Sequence, residues 1–323
     1  MKIGVIGCGD WGANHARTLA SFGALGGVAD ADPERCAALG ARYGVPALSG
    51  DAMIAAPQID AVVVALPPRH NAPAALAVLD AGKHLLVEKP MALDLDGAEA
   101  IARAARVSGR VAMTGHVLRF HPAFTALAAL VAQGRLGRIA RLESIRAGQG
   151  KLFEDTDVLW DLGPHDLSLM MALTGSAPLR ARLTTESSVS DHLADTAWLD
   201  LDFAGGITAH SHLSRVAEQR ERRLIVTGSA GTAVLDELAE APRRLALHRP
   251  GEAAPQHIDT DGPPPLDAEL RHFIDCIENG AESLSDVEEG LAVLRVIAGL
   301  TDRAPQRAAG PQEREQAGWS AAS

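Results

Sequence analysis

The feature that most constrains the fold is a glycine-spaced turn, Gly7-Cys8-Gly9-Asp10-Trp11-Gly12, directly behind the apolar run Ile3–Ile6 at the head of the chain. A short, continuous apolar run reads as a strand buried on both faces, and residues 13–22 beyond the turn read as a helix. In such a strand–turn–helix unit the first glycine makes the tight turn. The second lets a pyrophosphate approach the backbone, and the third lets the helix sit close against the strand. The free N–H groups and partial positive charge of the helix start then face the phosphates. Gly7, Gly9 and Gly12, with Asp10 and Trp11 between them, are therefore candidate dinucleotide contacts. A second strand, Leu25–Ala29, ends in Asp30, eighteen residues beyond Gly12. Its carboxylate can accept hydrogen bonds from adenine ribose hydroxyls and would repel a 2′-phosphate, which favours NAD over NADP.

The alternation continues. Asp32-Pro33 reads as an N-cap followed by proline at the first helical position. Residues 61–65, 84–87 and 111–116 read as strands, and residues 72–81 and 95–108 as helices. Apolar strands separated by helices predict a parallel sheet covered on both faces. Beyond residue 120 the pattern changes. A helix at 123–133, a strand at 139–147 and a mostly helical stretch at 158–174 precede short alternating segments at 180–188, 196–203, 207–213, 222–227, 231–235 and 245–248. Gly205-Gly206 and residues 228–231 mark turns, and 266–279 and 287–300 read as closing helices. The fold class expected is α/β: an N-terminal Rossmann doubly wound parallel sheet over 1–119, then a C-terminal α+β domain with a large open, mostly antiparallel sheet over 120–300. Residues 301–323, with little to bury, read as a loose tail.

Composition narrows the function classes. Of 323 residues, 47% are apolar, enough for two cores, and the formal net charge of −11 argues against nucleic acid or an anionic membrane as partner. The aromatic content of 3% leaves little for base stacking. Cys8, Cys36 and Cys276 are odd in number and widely spaced, which suggests neither a disulfide framework nor a metal site. With no signal-peptide pattern at the start and no membrane-length apolar run, a cytoplasmic location is expected.

Two further motifs complete the picture: Glu88-Lys89-Pro90 at the end of the strand in Gly82-Lys83-His84-Leu85-Leu86-Val87, and Asp161-Leu162-Gly163-Pro164-His165. With the glycine turn, these make the chain resemble the Gfo/Idh/MocA oxidoreductase family over residues 2–300. The resemblance implies a Rossmann domain followed by an open-sheet domain, and homo-oligomers (dimers or tetramers) built through the exposed sheet face. It also implies hydride transfer between a sugar or polyol carbon and NAD. His165 is then the expected base and Lys89 the group that stabilises the alkoxide, although in some members the lysine itself carries the proton. Asp161 would orient His165 or contact substrate, and Glu88 would fix the lysine strand. If the helix begins at Pro164, Asp161 lies in the loop before it. If it begins earlier, Asp161 and His165 share a face.

One segment departs from the family pattern. Where Thr-Pro-x-x-x-His is usual, this chain has Leu66-Pro67-Pro68-Arg69-His70-Asn71. Leu66, Pro67 and His70 remain cofactor-side candidates, with His70 equally readable as a surface turn residue. Segments 115–124 and 157–166 are most similar to the nucleotide-sugar branch, whose members oxidise C3 of UDP-N-acetylglucosamine or UDP-N-acetylglucosaminuronate, usually ahead of an aminotransferase. On that likeness His116, Arg119, Arg146, Lys151 and Trp160 join Lys89, Asp161 and His165 as substrate-side candidates. The basic ones would meet a diphosphate or carboxylate. Rival readings are an inositol-type polyol dehydrogenase, a 3-ketoreductase using NADPH and a non-catalytic dinucleotide-binding protein. No metal ligand set is expected.

Overall fold

The computed structural model of the chain describes residues 1–150, 156–189 and 193–301. The first part alternates strand and helix: β1 (Ile3–Ile6), α1 (Asp10–Ser21), β2 (Leu25–Ala29), α2 (Pro33–Tyr43), β3 (Ala47–Leu48) and α3 (Gly50–Ala55). It continues with β4 (Ala61–Val64), α4 (Pro68–Asp80), β5 (His84–Glu88), α5 (Leu95–Ser108) and β6 (Ala112–Gly115). The six strands lie parallel in the order β3-β2-β1-β4-β5-β6. Every residue of β1, β4 and β6 is buried, as helices on both faces require. Local signals set the helix starts. Asp32 accepts hydrogen bonds from the Glu34 and Arg35 amides with Pro33 at the first turn of α2, and Asp94 caps α5 through the Gly97 amide. The strand order reverses between β1 and β4, so a crevice opens at their carboxyl ends.

A short 3₁₀ turn, Val117–Phe120, leads into α6 (Pro122–Ala132), β7 (Ile139–Gln149), α7 (Val158–Thr174), β8 (Arg180–Glu186), β9 (Thr196–Asp202) and β10 (Thr208–Ser214). Then follow β11 (Val216–Gly228), β12 (Gly231–Asp236), β13 (Leu245–His248), β14 (Gln256–His257), α8 (Pro265–Asn279) and α9 (Val287–Thr301). These eight strands form a second sheet in the order β14-β13-β12-β11-β7-β10-β9-β8, antiparallel except where β10 runs parallel to β7. Alternation sorts its faces. Leu142, Leu199, Leu201, Ala209, Leu213, Leu224 and Val226 are buried. Neighbours such as Arg141, Asp200 and His210 point the other way and are exposed. On that outer face Trp198 stacks on His212, ring centroids 5.3 Å apart.

The last helices return to the first sheet. Helix α8 packs on α1 and on the 3₁₀ turn, whereas α9 packs on α5, α7 and β6. One apolar cluster consequently runs without a break from Val64 and Val87 through Leu127 and Leu159 to Leu213, Leu224 and Leu291. This continuity presses the start of α7 against the end of β5, where the site lies. Among the described residues, no helix is long and apolar enough to cross a membrane.

Candidate active site

The glycine turn is shaped by three different demands. Gly7 has φ +103°, and a Cβ there would stand 2.2 Å from the Ala65 carbonyl oxygen. At Gly12 a Cβ would stand 1.7 Å from the Gly7 carbonyl oxygen, so α1 can approach β1 only with glycine. At Gly9 a Cβ would meet nothing within 4 Å. That space lies at the N-cap of α1, where no side chain caps the helix amides. An empty, amide-lined space at a helix start fits a pyrophosphate. Asp10 and Trp11 form the exposed first turn beside it. Asp30 braces the turn: its Oδ2 accepts the Cys8 amide at 2.5 Å and its Oδ1 the Asp32 amide at 2.8 Å. A carboxylate has lone pairs for further donors, so ribose hydroxyls can be accommodated as well.

Across the crevice, Leu66 and Pro67 follow β4, with the Leu66 side chain beside Gly7. His70 is exposed in the first turn of α4, and its Nε2 accepts from Arg69 Nε at 3.1 Å. The buried residue is Asn71. Its Nδ2 donates to the carbonyl oxygens of Glu88 at 3.1 Å and Pro90 at 3.0 Å. Asn71 thus grips the backbone on both sides of Lys89, a role the sequence reading did not give it. The Glu88 side chain turns inward: Oε1 pairs with His15 Nε2 at 2.8 Å, and Oε2 accepts the Lys89 amide at 3.1 Å. Gly115 leaves it room, since a Cβ there would be 3.0 Å from the Glu88 carboxyl carbon. Behind this pair sits Glu269 of α8, fully buried with neither oxygen hydrogen-bonded among the described residues. Burial, then the Glu88 charge, push its carboxyl well above the ordinary carboxylate range.

Lys89 reaches out of β5 to the first turn of α7, where its Nζ donates to the Asp161 carbonyl oxygen and to Oδ1, both at 2.9 Å. Helix α7 begins at Val158 behind the N-cap Asp157 and continues through Pro164. Asp161 and His165 therefore share one face, a turn apart, which settles the alternative that the sequence left open. Arg215 of the β10–β11 junction holds this helix start, donating to the carbonyl oxygens of Thr156 and Asp157 at 2.7 Å and pairing with Asp161 Oδ2 at 3.3 Å.

His165 Nδ1 is buried without a hydrogen-bond partner among the described residues. Burial, followed by the charges of Lys89, Arg146, His116 and Arg222, holds the imidazole well below its ordinary value. The ring is accordingly neutral near pH 7, as a base must be.

The remaining candidates are placed as follows. His116 is buried, its Nδ1 2.6 Å from Glu289 Oε2, and Arg119 lies 3.6 Å from the same carboxylate. Burial works to raise Glu289, but His116 and Arg119 hold it below its usual range. Arg146 is 6% exposed and is held by two carboxylates inside the protein. Its Nε donates to Asp166 at 2.8 Å and its terminal nitrogens to Glu237 at 2.8 and 3.3 Å, while Ser144 and Ser211 donate to the other Asp166 oxygen. The guanidinium is thereby a strut between Asp166 of α7 and Glu237. Trp160 packs half-buried against the main core. Lys151 lies outside the described residues.

Comparison with known proteins identifies the family. Residues 1–116 match the oxidoreductase family, NAD-binding Rossmann fold, and residues 124–234 match the GFO/IDH/MocA C-terminal domain. The chain belongs to the Gfo/Idh/MocA oxidoreductase family. Within that family it is 33% identical to the UDP-N-acetylglucosamine 3-dehydrogenase of Acidithiobacillus ferrooxidans, over 92% of this chain and 94% of that one. It is 29% identical to an inositol 2-dehydrogenase of Saccharopolyspora erythraea, covering 82% and 78% of the two chains. A solved structure of the Acidithiobacillus enzyme superposes with a TM-score of 0.85 at 31% identity, covering 93% of this chain and 96% of that one. As a member of the Gfo/Idh/MocA family, the chain is an NAD-dependent dehydrogenase that acts on a sugar hydroxyl. NAD fits the residues present: Gly9 leaves space open at the start of α1, and Asp30 at the end of β2 is a carboxylate with lone pairs to spare for further donors.

Proposed function

We propose that this enzyme oxidises the C3 hydroxyl of a UDP-sugar, UDP-N-acetylglucosamine first, to the 3-keto sugar that a later aminotransferase consumes. The observation that carries the chemistry is Lys89 Nζ fixed 2.9 Å from Asp161, one helical turn from a neutral His165. The 33% identity to a UDP-N-acetylglucosamine 3-dehydrogenase over almost the whole chain supports the substrate. When bound, NAD supplies the hydride acceptor at its nicotinamide ring. A hydroxyl that gives up hydride must also release its proton to a base within hydrogen-bond reach. His165 takes that proton. Lys89 donates a hydrogen bond to the same oxygen and stabilises its growing negative charge. Asp161 aims Lys89, and Glu88, His15 and Asn71 fix the backbone from which Lys89 projects. The uncovered face of the second sheet supports assembly into a dimer or tetramer.

The test is NADH formation by the purified chain with a panel of UDP-sugars and free polyols, with an aminotransferase present to remove a keto product. Turnover of UDP-N-acetylglucosamine but not inositol is the expected result. Turnover of inositol alone would replace this reading with the polyol one, which the Saccharopolyspora relative favours.

A further inference from the structure

Four basic side chains act on His165: Lys89, Arg146, His116 and Arg222. Three have carboxylate partners, Lys89 in Asp161, Arg146 in Asp166 and Glu237, and His116 in Glu289. Arg222 has no ion pair among the described residues. It sits on β11 in register with Arg146 on β7, on the same sheet face as buried Leu224 and Val226, and so on the side that carries α7. The strand register shifts just before it: Val216 faces Gln149 but Glu221 faces Ala147, so four residues of β11 stand against Gly148 alone. Irregularities of this kind re-aim side chains near active sites.

The guanidinium is held at one end only. Its Nη1 donates to the Ala147 carbonyl oxygen at 2.5 Å and the Glu221 carbonyl oxygen at 2.8 Å, which uses both hydrogens of that nitrogen. Nε and Nη2 have no partner among the described residues, and neither is sealed from solvent. Their edge is the pair of parallel donors that matches two oxygens of a phosphate or carboxylate. Neighbouring charge adds to this. After burial, Arg146 and Arg220 make the site unfavourable for another cation, and both carboxylates nearby, Asp166 and Glu237, are already bound by Arg146.

We propose that Arg222 is the anion-recognition residue of the substrate cleft, taking a phosphate or carboxylate group of the substrate on its Nε/Nη2 edge beside His165. This rests on the sugar-nucleotide reading above and adds to it the residue that distinguishes a charged sugar derivative from a free polyol. Arg119 and Arg146, which the sequence pointed to, have their charges matched inside the protein.

The experiment is steady-state kinetics of Arg222→Gln and Arg222→Lys with UDP-N-acetylglucosamine, alongside inhibition by UDP and by glucuronate. Arg222→Gln should raise KM for the UDP-sugar by about tenfold or more, far beyond any change in kcat, with Arg222→Lys between it and wild type because charge survives without the fork. UDP inhibition should weaken in parallel if the diphosphate is the group held. Weakened glucuronate inhibition with UDP inhibition intact would assign the site to a carboxylate. Loss of a positive charge near His165 should also move the acid limb of kcat/KM to higher pH, which a purely structural role would not do. A KM and a UDP inhibition constant within about twofold of wild type in both variants would overturn the proposal. If the wild-type enzyme oxidises only a neutral polyol, the sugar-nucleotide reading fails separately. Arg222 is then judged by the inhibitors: inhibition lost in Arg222→Gln keeps the anion site, and no inhibition of wild type removes it.

Discussion

Lys89 gains its meaning from what touches it. A lysine at a strand end is usually solvated, but here both its backbone flanks are gripped and its Nζ is directed at Asp161. In the proposed mechanism, replacing Lys89 by Ala removes the donor to the developing alkoxide, and it should lower kcat by about 10²–10⁴-fold. NAD affinity, measured by fluorescence titration, should stay near wild type. A rate close to wild type would take lysine out of the mechanism. Asn71 acts one step away. Asn71→Ala leaves the Glu88 and Pro90 carbonyls without their buried donor, at a cost of roughly 1–3 kcal/mol in unfolding free energy. It should also lower kcat while KM moves little, because the lysine loses its aim. A loss of stability with kcat unchanged would restrict Asn71 to a packing role.

At the scale of elements, two units carry the site. The first is the β1–α1 turn, where Asp30 braces the Cys8 amide and is proposed to accept the ribose hydroxyls as well. Asp30→Ser should weaken NAD binding and shift the NAD/NADP preference toward NADP, read as the ratio of kcat/KM values. An unchanged ratio would leave Asp30 as a brace alone. The second is α7, which sets Asp161 and His165 a turn apart. Because burial and neighbouring cations depress His165, the acid limb of kcat/KM should fall below the ordinary histidine value of 6.5. The same depression acts on stability. Between its native value and 6.5 the unfolded chain binds the proton and the native chain does not, so stability is present above 6.5 and declines as pH falls below it. A rate profile whose acid limb lies above 6.5 would exclude His165 as the base.

The whole molecule is joined by α8 and α9, and that junction contains Glu269. Its raised carboxyl keeps a proton in the native state that the unfolded chain releases above 4.5. Stability from this group is therefore complete below 4.5 and is lost as pH rises toward the native value. Glu269→Gln removes the group that must stay protonated while filling nearly the same volume. It should raise the melting temperature at about pH 8 more than at about pH 5, flattening the alkaline side of the profile. Equal shifts at both pH values would mean that Glu269 is not held as a neutral acid.

Much of this protein is written in local sequence. The apolar run of β1 and the Gly7/Gly9/Gly12 spacing specify a buried strand and a phosphate-binding turn, because a side chain would clash at Gly7 and Gly12 and would fill the open space at Gly9. Asp32-Pro33 marks a helix start by the same local logic. The order of Lys89, Asp161 and His165 along the chain carried the family likeness and with it the chemistry. Other features depended on partners far away in sequence. The pairing of Arg146 with Asp166 and Glu237 turned a candidate substrate contact into an internal strut. The exposed His70 and the buried Asn71 differ by one position, and only the packing of α4 against β5 decides which faces the lysine loop. The short β3 and α3 lacked periodicity, and β11 extends well beyond the stretch its alternation predicts, since its first residues pair only across the irregularity opposite Gly148. Sequence by itself determined most of the elements through local sterics and periodicity, and its motifs carried the family. Which charges are matched inside the protein, and which are left without an ion pair among the described residues, was decided by tertiary contacts alone, because an ion pair depends on distance in space rather than separation along the chain.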